Sequence, residues 1–168
     1  MGQVREYKGI RELIEAAERC NKNISVDIYG PVFNDLEPQI FNNLERVTMH
    51  GPIPSSEVIP TLRQYDMNLL PTKAPTEGYP GIVIEGYSVG LPIIASSCGA
   101  IPEIVDETSG ILIEPGNVDE LFEAINRVVD DDQLYATLRS GARNRFKGFS
   151  SKYWADQFVD MCKKLTRS

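Results

Sequence analysis

The sequence predicts an α/β domain, a Rossmann-like parallel sheet with helices on both faces, followed by two extra helices at the carboxy-terminal end. Three observations predict it. Short apolar runs alternate with longer segments of helical period, the pattern of parallel strands joined by crossover helices. A turn residue follows each run (Gly30, Gly51, Pro71, Ser96, Pro115), marking the carboxyl ends of the strands, where open α/β sheets bind ligands. Strand-like runs stop at Ile113, and Gln133 to Leu165 reads as two helices broken at Gly148-Phe149-Ser150.

Taken in order, Ile10, Leu13, Ile14 and Ala17 form the apolar stripe of a first helix. Strands are expected at Ile24 to Tyr29 and Arg46 to Met49. Ser55-Ser56-Glu57-Val58-Ile59-Pro60 starts a helix. A proline ring clashes with the preceding turn when it lies well inside a helix, so the N-cap is placed near Ser56. Asp66 to Leu70 is a third strand, Pro92 to Ala95 a fourth and Gly110 to Ile113 a fifth. Glu103 follows Pro102 at a helix start, where a carboxylate stabilises the dipole. Leu121, Ile125, Val128 and Val129 make another stripe, with Asn117 as N-cap and Glu120 completing a capping box. Ser150 or Ser151 caps the final helix, whose Trp154 and Phe158 are core residues by type.

The bulk composition narrows the function. At 168 residues with 42% hydrophobic content, the chain fits one domain of ordinary size, with enough length to bury a real core. A formal net charge of -7 and a pI near 4.8, without a basic stripe, argue against a nucleic-acid or anionic-membrane surface. No apolar run approaches the ~20 residues of a membrane helix, and Met1-Gly2-Gln3-Val4-Arg5 is no signal peptide. Cys20, Cys98 and Cys162 are odd in number and far apart. That spacing speaks against a disulfide framework or zinc site, and a reducing cytoplasm is the default.

An anionic ligand must then be held locally, and one segment is suited to that. Thr76 to Glu85, running on into Gly90-Leu91-Pro92-Ile93-Ile94-Ala95-Ser96, joins a Gly-Tyr-Pro-Gly turn, an apolar helix and a buried strand. The helix start offers unpaired N–H groups and the positive end of the dipole to a phosphate or diphosphate. Glu77 stands before the turn and Glu85 inside the helix. They flank the anion site and are read as hydroxyl acceptors for the two ends of a sugar-diphosphate-nucleoside. His50, the one histidine in the sequence, is read as a lone histidine without a carboxylate or cysteine partner, structural or part of a pocket wall.

Glu77 and Glu85 with seven residues between them, then Gly90 to Ser96, Gly99-Ala100-Ile101-Pro102-Glu103-Ile104-Val105 and Gly110-Ile111-Leu112-Ile113-Glu114-Pro115-Gly116, resemble the donor-binding half of glycosyltransferase family 4. Tyr7-Lys8-Gly9 resembles the family's first loop, and Val47 to Pro54 its strand-Gly-Pro turn. The resemblance spans essentially the whole chain. It implies the carboxy-terminal domain of a GT-B fold, acting in polysaccharide biosynthesis without a metal or other cofactor and with retention of anomeric configuration. The sugar would go from a nucleotide-diphosphate-sugar donor to a saccharide or lipid-linked acceptor.

The same resemblance assigns residues. Glu77 would touch hydroxyls of the donor sugar and Glu85 would accept from the ribose diol. The backbone around Tyr79, Gly81 and Ile82 would hold the diphosphate; Pro80 cannot donate. Lys8 would neutralise the leaving diphosphate, and the base would lie against Pro52 and Ile53. Gly2-Gln3 replaces the family's Gly-Arg, so Arg5 is the candidate substitute cation. Gly86 stands for an alanine, and Gly99-Ala100 for a Gly-Gly pair.

The resemblance also implies an absent amino-terminal domain carrying the acceptor site. The first strand reads as truncated ahead of Gly2, and the final helix, with Trp154 and Phe158 on one face, is expected to cross toward that partner. Residues 1–168 would be an excised donor-binding domain, inactive alone, cytoplasmic, and able to reach a membrane surface only through the absent domain. A non-catalytic nucleotide-sugar sensor or regulatory subunit on the same fold is the alternative. A signalling receiver is set aside, because Gly2-Gln3-Val4-Arg5 supplies no acidic cluster.

Overall fold

The computed structural model describes residues 1–20 and 24–165. In chain order the elements are α1 (Ile10–Arg19), β1 (Val26–Tyr29), β2 (Val47–Gly51), α2 (Ser55–Leu62), β3 (Asn68–Leu70), α3 (Gly81–Val89), β4 (Ile93–Ser96), α4 (Ile101–Ile104), β5 (Gly110–Ile113), α5 (Val118–Asp130), α6 (Asp132–Lys147) and α7 (Ser151–Leu165). This is the expected α/β alternation, with all the named strand pairs parallel. Among the described residues the strands form two pieces, β1–β2 and β3–β4–β5. β1 and β3 are each an edge.

β4 shows why helices cover both faces. Its four residues are all buried, and because strand side chains alternate, Ile94 enters one core with Leu13, Ala17, Leu121 and Ile125. Ile93 and Ala95 enter another with Val83, Tyr87, Ile101 and Ile104. α1 and α5 therefore pack on one face, and α3, α4 and α6 on the other.

Local signals explain most boundaries. Asn117 Oδ1 accepts from the Glu120 N–H at 3.1 Å while its own Nδ2 donates to Glu120 at 2.8 Å. Ser150 Oγ accepts from the Tyr153 N–H at 3.1 Å, which makes Ser150 the cap of α7. Two expectations are corrected. The N-cap of α2 is Pro54 rather than Ser56: the Glu57 N–H closes the first turn onto the Pro54 carbonyl at 2.9 Å. Pro60 is tolerated because the carbonyl it leaves without a helical partner, four residues back, is that of exposed Ser56. Trp154 and Phe158 are not core, being 59% and 67% exposed, since α7 projects its apolar residues away from both clusters.

Candidate functional site

Two glycines bring the first loop and the loop after β4 against the loop after β3 at the carboxyl edge of the sheet. Gly9 has φ 72°, and a Cβ there would lie 1.9 Å from the Pro71 carbonyl oxygen. The close approach lets the Lys73 N–H reach the Tyr7 carbonyl at 2.7 Å. Gly99 has φ 55°, and a Cβ would lie 2.2 Å from the Glu77 carbonyl oxygen, which instead accepts from the Ala100 N–H at 2.8 Å. Only glycine meets both demands, a left-handed backbone and contact with a neighbouring chain.

Lys8 and Glu77 meet as a result. Lys8 Nζ lies 2.6 Å from Glu77 Oε2, with the two side chains 22% and 12% exposed. The Thr72 hydroxyl, fully buried, lies 3.0 Å from the same carboxylate oxygen. Its own oxygen accepts from the Ala74 N–H at 3.3 Å. Thr72 thus fixes the carboxylate that faces Lys8, and the sequence reading missed it. The available signal was a polar residue directly after the Leu70-Pro71 strand end. Cys98 Sγ donates to the Thr72 carbonyl at 3.4 Å; burial, and then the Glu77 charge, push its thiol above the ordinary value.

α3 begins at Gly81 with Pro80 as N-cap, and the Val83 N–H closes its first turn onto the Pro80 carbonyl at 3.0 Å. The N–H groups of Gly81 and Ile82 precede the helical ladder and so have no partner within it. Asn68 on β3 clamps this helix, donating from Nδ2 to the Ile82 carbonyl at 3.1 Å. A Cβ on Gly86 would lie 2.1 Å from that Asn68 nitrogen. The glycine that stands for the family's alanine therefore makes room for the clamp.

A cavity of about 1000 Å³ takes in Lys8, Pro52, Ile53, Glu77, Gly81, Ile82 and Glu85, and continues down between β1 and β3. The structure brings these expected site residues to one cavity wall. Arg5 and Tyr79 lie outside that wall. The Arg5 guanidinium sits 4.1 Å from the centre of the Phe33 ring and 5.9 Å from that of Tyr7, a cation–π seat that accounts for its position. The Tyr79 hydroxyl donates to Glu103 at 2.5 Å, and this bond holds the phenol above its ordinary pKa. Glu103 is thus a partner of the Tyr79 loop as well as a first-turn acid of α4.

His50 also differs from expectation, because it does have a carboxylate partner. Its Nε2 lies 2.5 Å from Asp27 Oδ1, and its ring stacks on Tyr29 at 4.6 Å. The Tyr29 hydroxyl in turn meets that of Tyr65 at 2.7 Å. Burial, and then the Tyr29 contact, push the Tyr65 phenol far up. Among the described residues, no group of three or more His, Cys, Asp or Glu is gathered so as to hold a metal, and no helix is long and apolar enough to cross a membrane.

With this geometry established, comparison with known proteins identifies the family. The family model described as glycosyl transferases group 1 matches residues 1–131. The chain belongs to this family. An uncharacterized glycosyltransferase of Methanocaldococcus jannaschii is 28% identical over 145 residues, covering 85% of this chain and 41% of the relative. O-antigen chain mannosyltransferase C of Escherichia coli is 23% identical over 172 residues, covering 100% of this chain and 46% of the relative. Among solved structures, Anabaena HepE in complex with UDP superposes with a TM-score of 0.83 at 25% identity, covering 97% of this chain and 48% of that one. The carboxy-terminal domain of a group 1 family glycosyl transferase from Francisella tularensis superposes with a TM-score of 0.73 at 23% identity, covering 91% of this chain and 83% of that domain. The group 1 chain thus has the expected GT-B architecture and spans less than half the length of the first three.

Proposed function

We propose that this group 1 chain is the donor-binding part of a family 4 glycosyltransferase that works without a metal and retains anomeric configuration, and that it takes a nucleotide-diphosphate-sugar for transfer to a saccharide or lipid-linked acceptor. The observation that carries the reading is the meeting of Lys8 and Glu77 at 2.6 Å in the cavity that also takes in the start of α3, Glu85, Pro52 and Ile53. The complex of the neighbour HepE with UDP supports it.

In this reading the diphosphate lies against the Gly81 and Ile82 N–H groups, with the α3 dipole behind them. Lys8 shares its charge between Glu77 and the diphosphate, and offsets the negative charge that builds on the leaving group as the sugar becomes oxocarbenium-like. Glu77, held by Thr72, accepts from sugar hydroxyls. Glu85 accepts from the ribose diol, and the base packs on Pro52 and Ile53. The side chains of Arg5 and Tyr79 have no part in this arrangement; Tyr79 acts through the backbone of its loop.

The test is calorimetric titration of the chain with UDP, GDP and ADP and with their hexose derivatives. One nucleoside diphosphate is expected to bind, with its sugar form at least as tight. Absence of binding by all of them in the millimolar range defeats the proposal.

A further inference from the structure

Lys73 follows Thr72 in the loop after β3, and it reaches the first loop twice. Its N–H donates to the Tyr7 carbonyl at 2.7 Å. Its Nζ lies 2.6 Å from Glu12 Oε1, in the first turn of α1, and 3.4 Å from Glu6 Oε1. Glu6 opens the short 3-10 turn, Glu6–Lys8, that ends in Lys8. Two backbone bonds close that turn, from the Lys8 N–H to the Arg5 carbonyl at 3.0 Å and from the Gly9 N–H to the Glu6 carbonyl at 3.1 Å. One turn of this kind has too few bonds to fix its own place, so what grips it from outside decides where Lys8 points.

The Lys73 grip differs from an ordinary surface ion pair. Exposed pairs contribute little, because water screens them and two long side chains must be ordered. Glu12 is only 16% exposed and Lys73 31%, so their contact is partly withdrawn from water. The second Glu12 oxygen, Oε2, is buried without a hydrogen-bond partner among the described residues, which makes the Lys73 ammonium the charged group that carboxylate touches. The Glu12 hydrogen bond, outweighing burial, holds the ammonium above its ordinary pKa. Arg11 also reaches Glu6, with Nε 2.8 Å from Oε2, but that pair is exposed on both sides and adds little to the grip.

We infer that Lys73 is a positioning residue for the donor site, its ammonium bridging Glu6 and Glu12 so that the turn beneath Lys8 is held where Lys8 Nζ meets Glu77. Lys8 and Glu77 line the cavity and Lys73 does not, so Lys73 acts through Lys8 and not on the ligand. Two consecutive residues thereby set the two ends of the 2.6 Å pair. Thr72 fixes the Glu77 carboxylate through its hydroxyl, and Lys73 fixes the turn that carries the cation. A charge aimed at a diphosphate is most effective when it is in place before the ligand arrives. Loosening the turn therefore costs affinity although no contact with the ligand is deleted.

The inference rests on the donor-site reading for its effect on affinity, and the test separates the two. Lys73→Met, Lys73→Arg and the double variant Lys73→Met/Glu12→Gln are made in the full chain, the last so that no buried carboxylate loses its counter-charge and the fold is kept. Labelling of the native chain with acetic anhydride, read by mass spectrometry, follows Lys8 without any nucleotide. Both variants with Lys73→Met are expected to raise the labelling rate of Lys8 by about threefold or more, as its turn opens locally. Lys73→Arg is expected to keep the parent rate, and Lys147, exposed on α6, to label alike in every variant. In titrations with UDP, GDP and ADP, the nucleotide that binds is expected to bind about fivefold more weakly to the Lys73→Met variants. In a Lys8→Ala background the same substitution is expected to change Kd by less than about 1.5-fold, the non-additivity of a residue that acts through another. Unchanged labelling of Lys8 in both Lys73→Met variants overturns the inference, and so does an equal loss of affinity with and without Lys8. If Lys8→Ala leaves Kd unchanged while Lys8 labelling responds as expected, the donor-site reading fails and the positioning of Lys8 by Lys73 stands.

Discussion

Replacing Lys8 by alanine is the sharpest probe of the proposed site. Two unit charges about 4 Å apart interact by roughly 4 kcal/mol at an effective dielectric near 20 and by about 1 kcal/mol in water. Lys8 is 22% exposed, so it lies between these limits, and loss of its contact with a diphosphate is expected to cost about 2 kcal/mol, or roughly 30-fold in Kd. Part of that cost comes from Glu77. Its carboxylate, still held by Thr72 at 3.0 Å, would then face the diphosphate without its counter-charge. Two signatures follow in titrations of the bound nucleoside diphosphate across ionic strength: a weaker Kd and a flatter salt dependence. Adding Glu77→Gln to Lys8→Ala is expected to restore part of the bare nucleotide's affinity, because the uncompensated carboxylate is gone. If Lys8→Ala leaves both Kd and salt slope unchanged, Lys8 does not contact the diphosphate and the proposed chemistry fails.

The remaining expectations concern the carboxylates and their support. Glu85→Gln should weaken both the bare nucleoside diphosphate and its sugar form, whereas Glu77→Gln should weaken the sugar form selectively; equal losses for both ligands in both variants would remove the sugar and ribose assignments. Thr72→Val keeps the side-chain shape but deletes a buried hydroxyl bonded to a carboxylate. It should lower stability by about 1.5–3 kcal/mol in urea denaturation and should also weaken the sugar form, and a variant unchanged in both would show that Thr72 does not position Glu77.

Much of the fold and the outline of the site were legible because their causes are local. Asn117 and Glu120 stand three residues apart, so the cap of α5 is written within one helical turn. The continuous apolar run of β4 announces a strand covered on both faces. Glu77, the Gly-Tyr-Pro-Gly turn and Glu85 lie within one short stretch, which is why an anion site between two carboxylates could be read there.

What was not legible depends on partners distant in sequence. Tyr79 finds Glu103 24 residues away, and His50 finds Asp27 across 23. Neither pairing has a periodicity to betray it. Arg5 was a candidate ligand by charge and proximity, but Phe33, on the segment after β1, supplies a seat for its guanidinium. Trp154 and Phe158 were core by residue type, yet no second layer covers that face of α7.

By itself the sequence determined the order of strands and helices, the carboxyl edge of the sheet, and the residue types gathered there, because periodicity, capping and turn chemistry act over a few residues. Tertiary structure decided which of those residues meet. Lys8 reaches Glu77 across 69 positions only because Gly9 and Gly99 let their loops close on neighbouring backbone. Likewise β1 and β3, 39 residues apart from Tyr29 to Asn68, are brought to line the same cavity. Such meetings depend on the path of the whole backbone, so no residue type announces them.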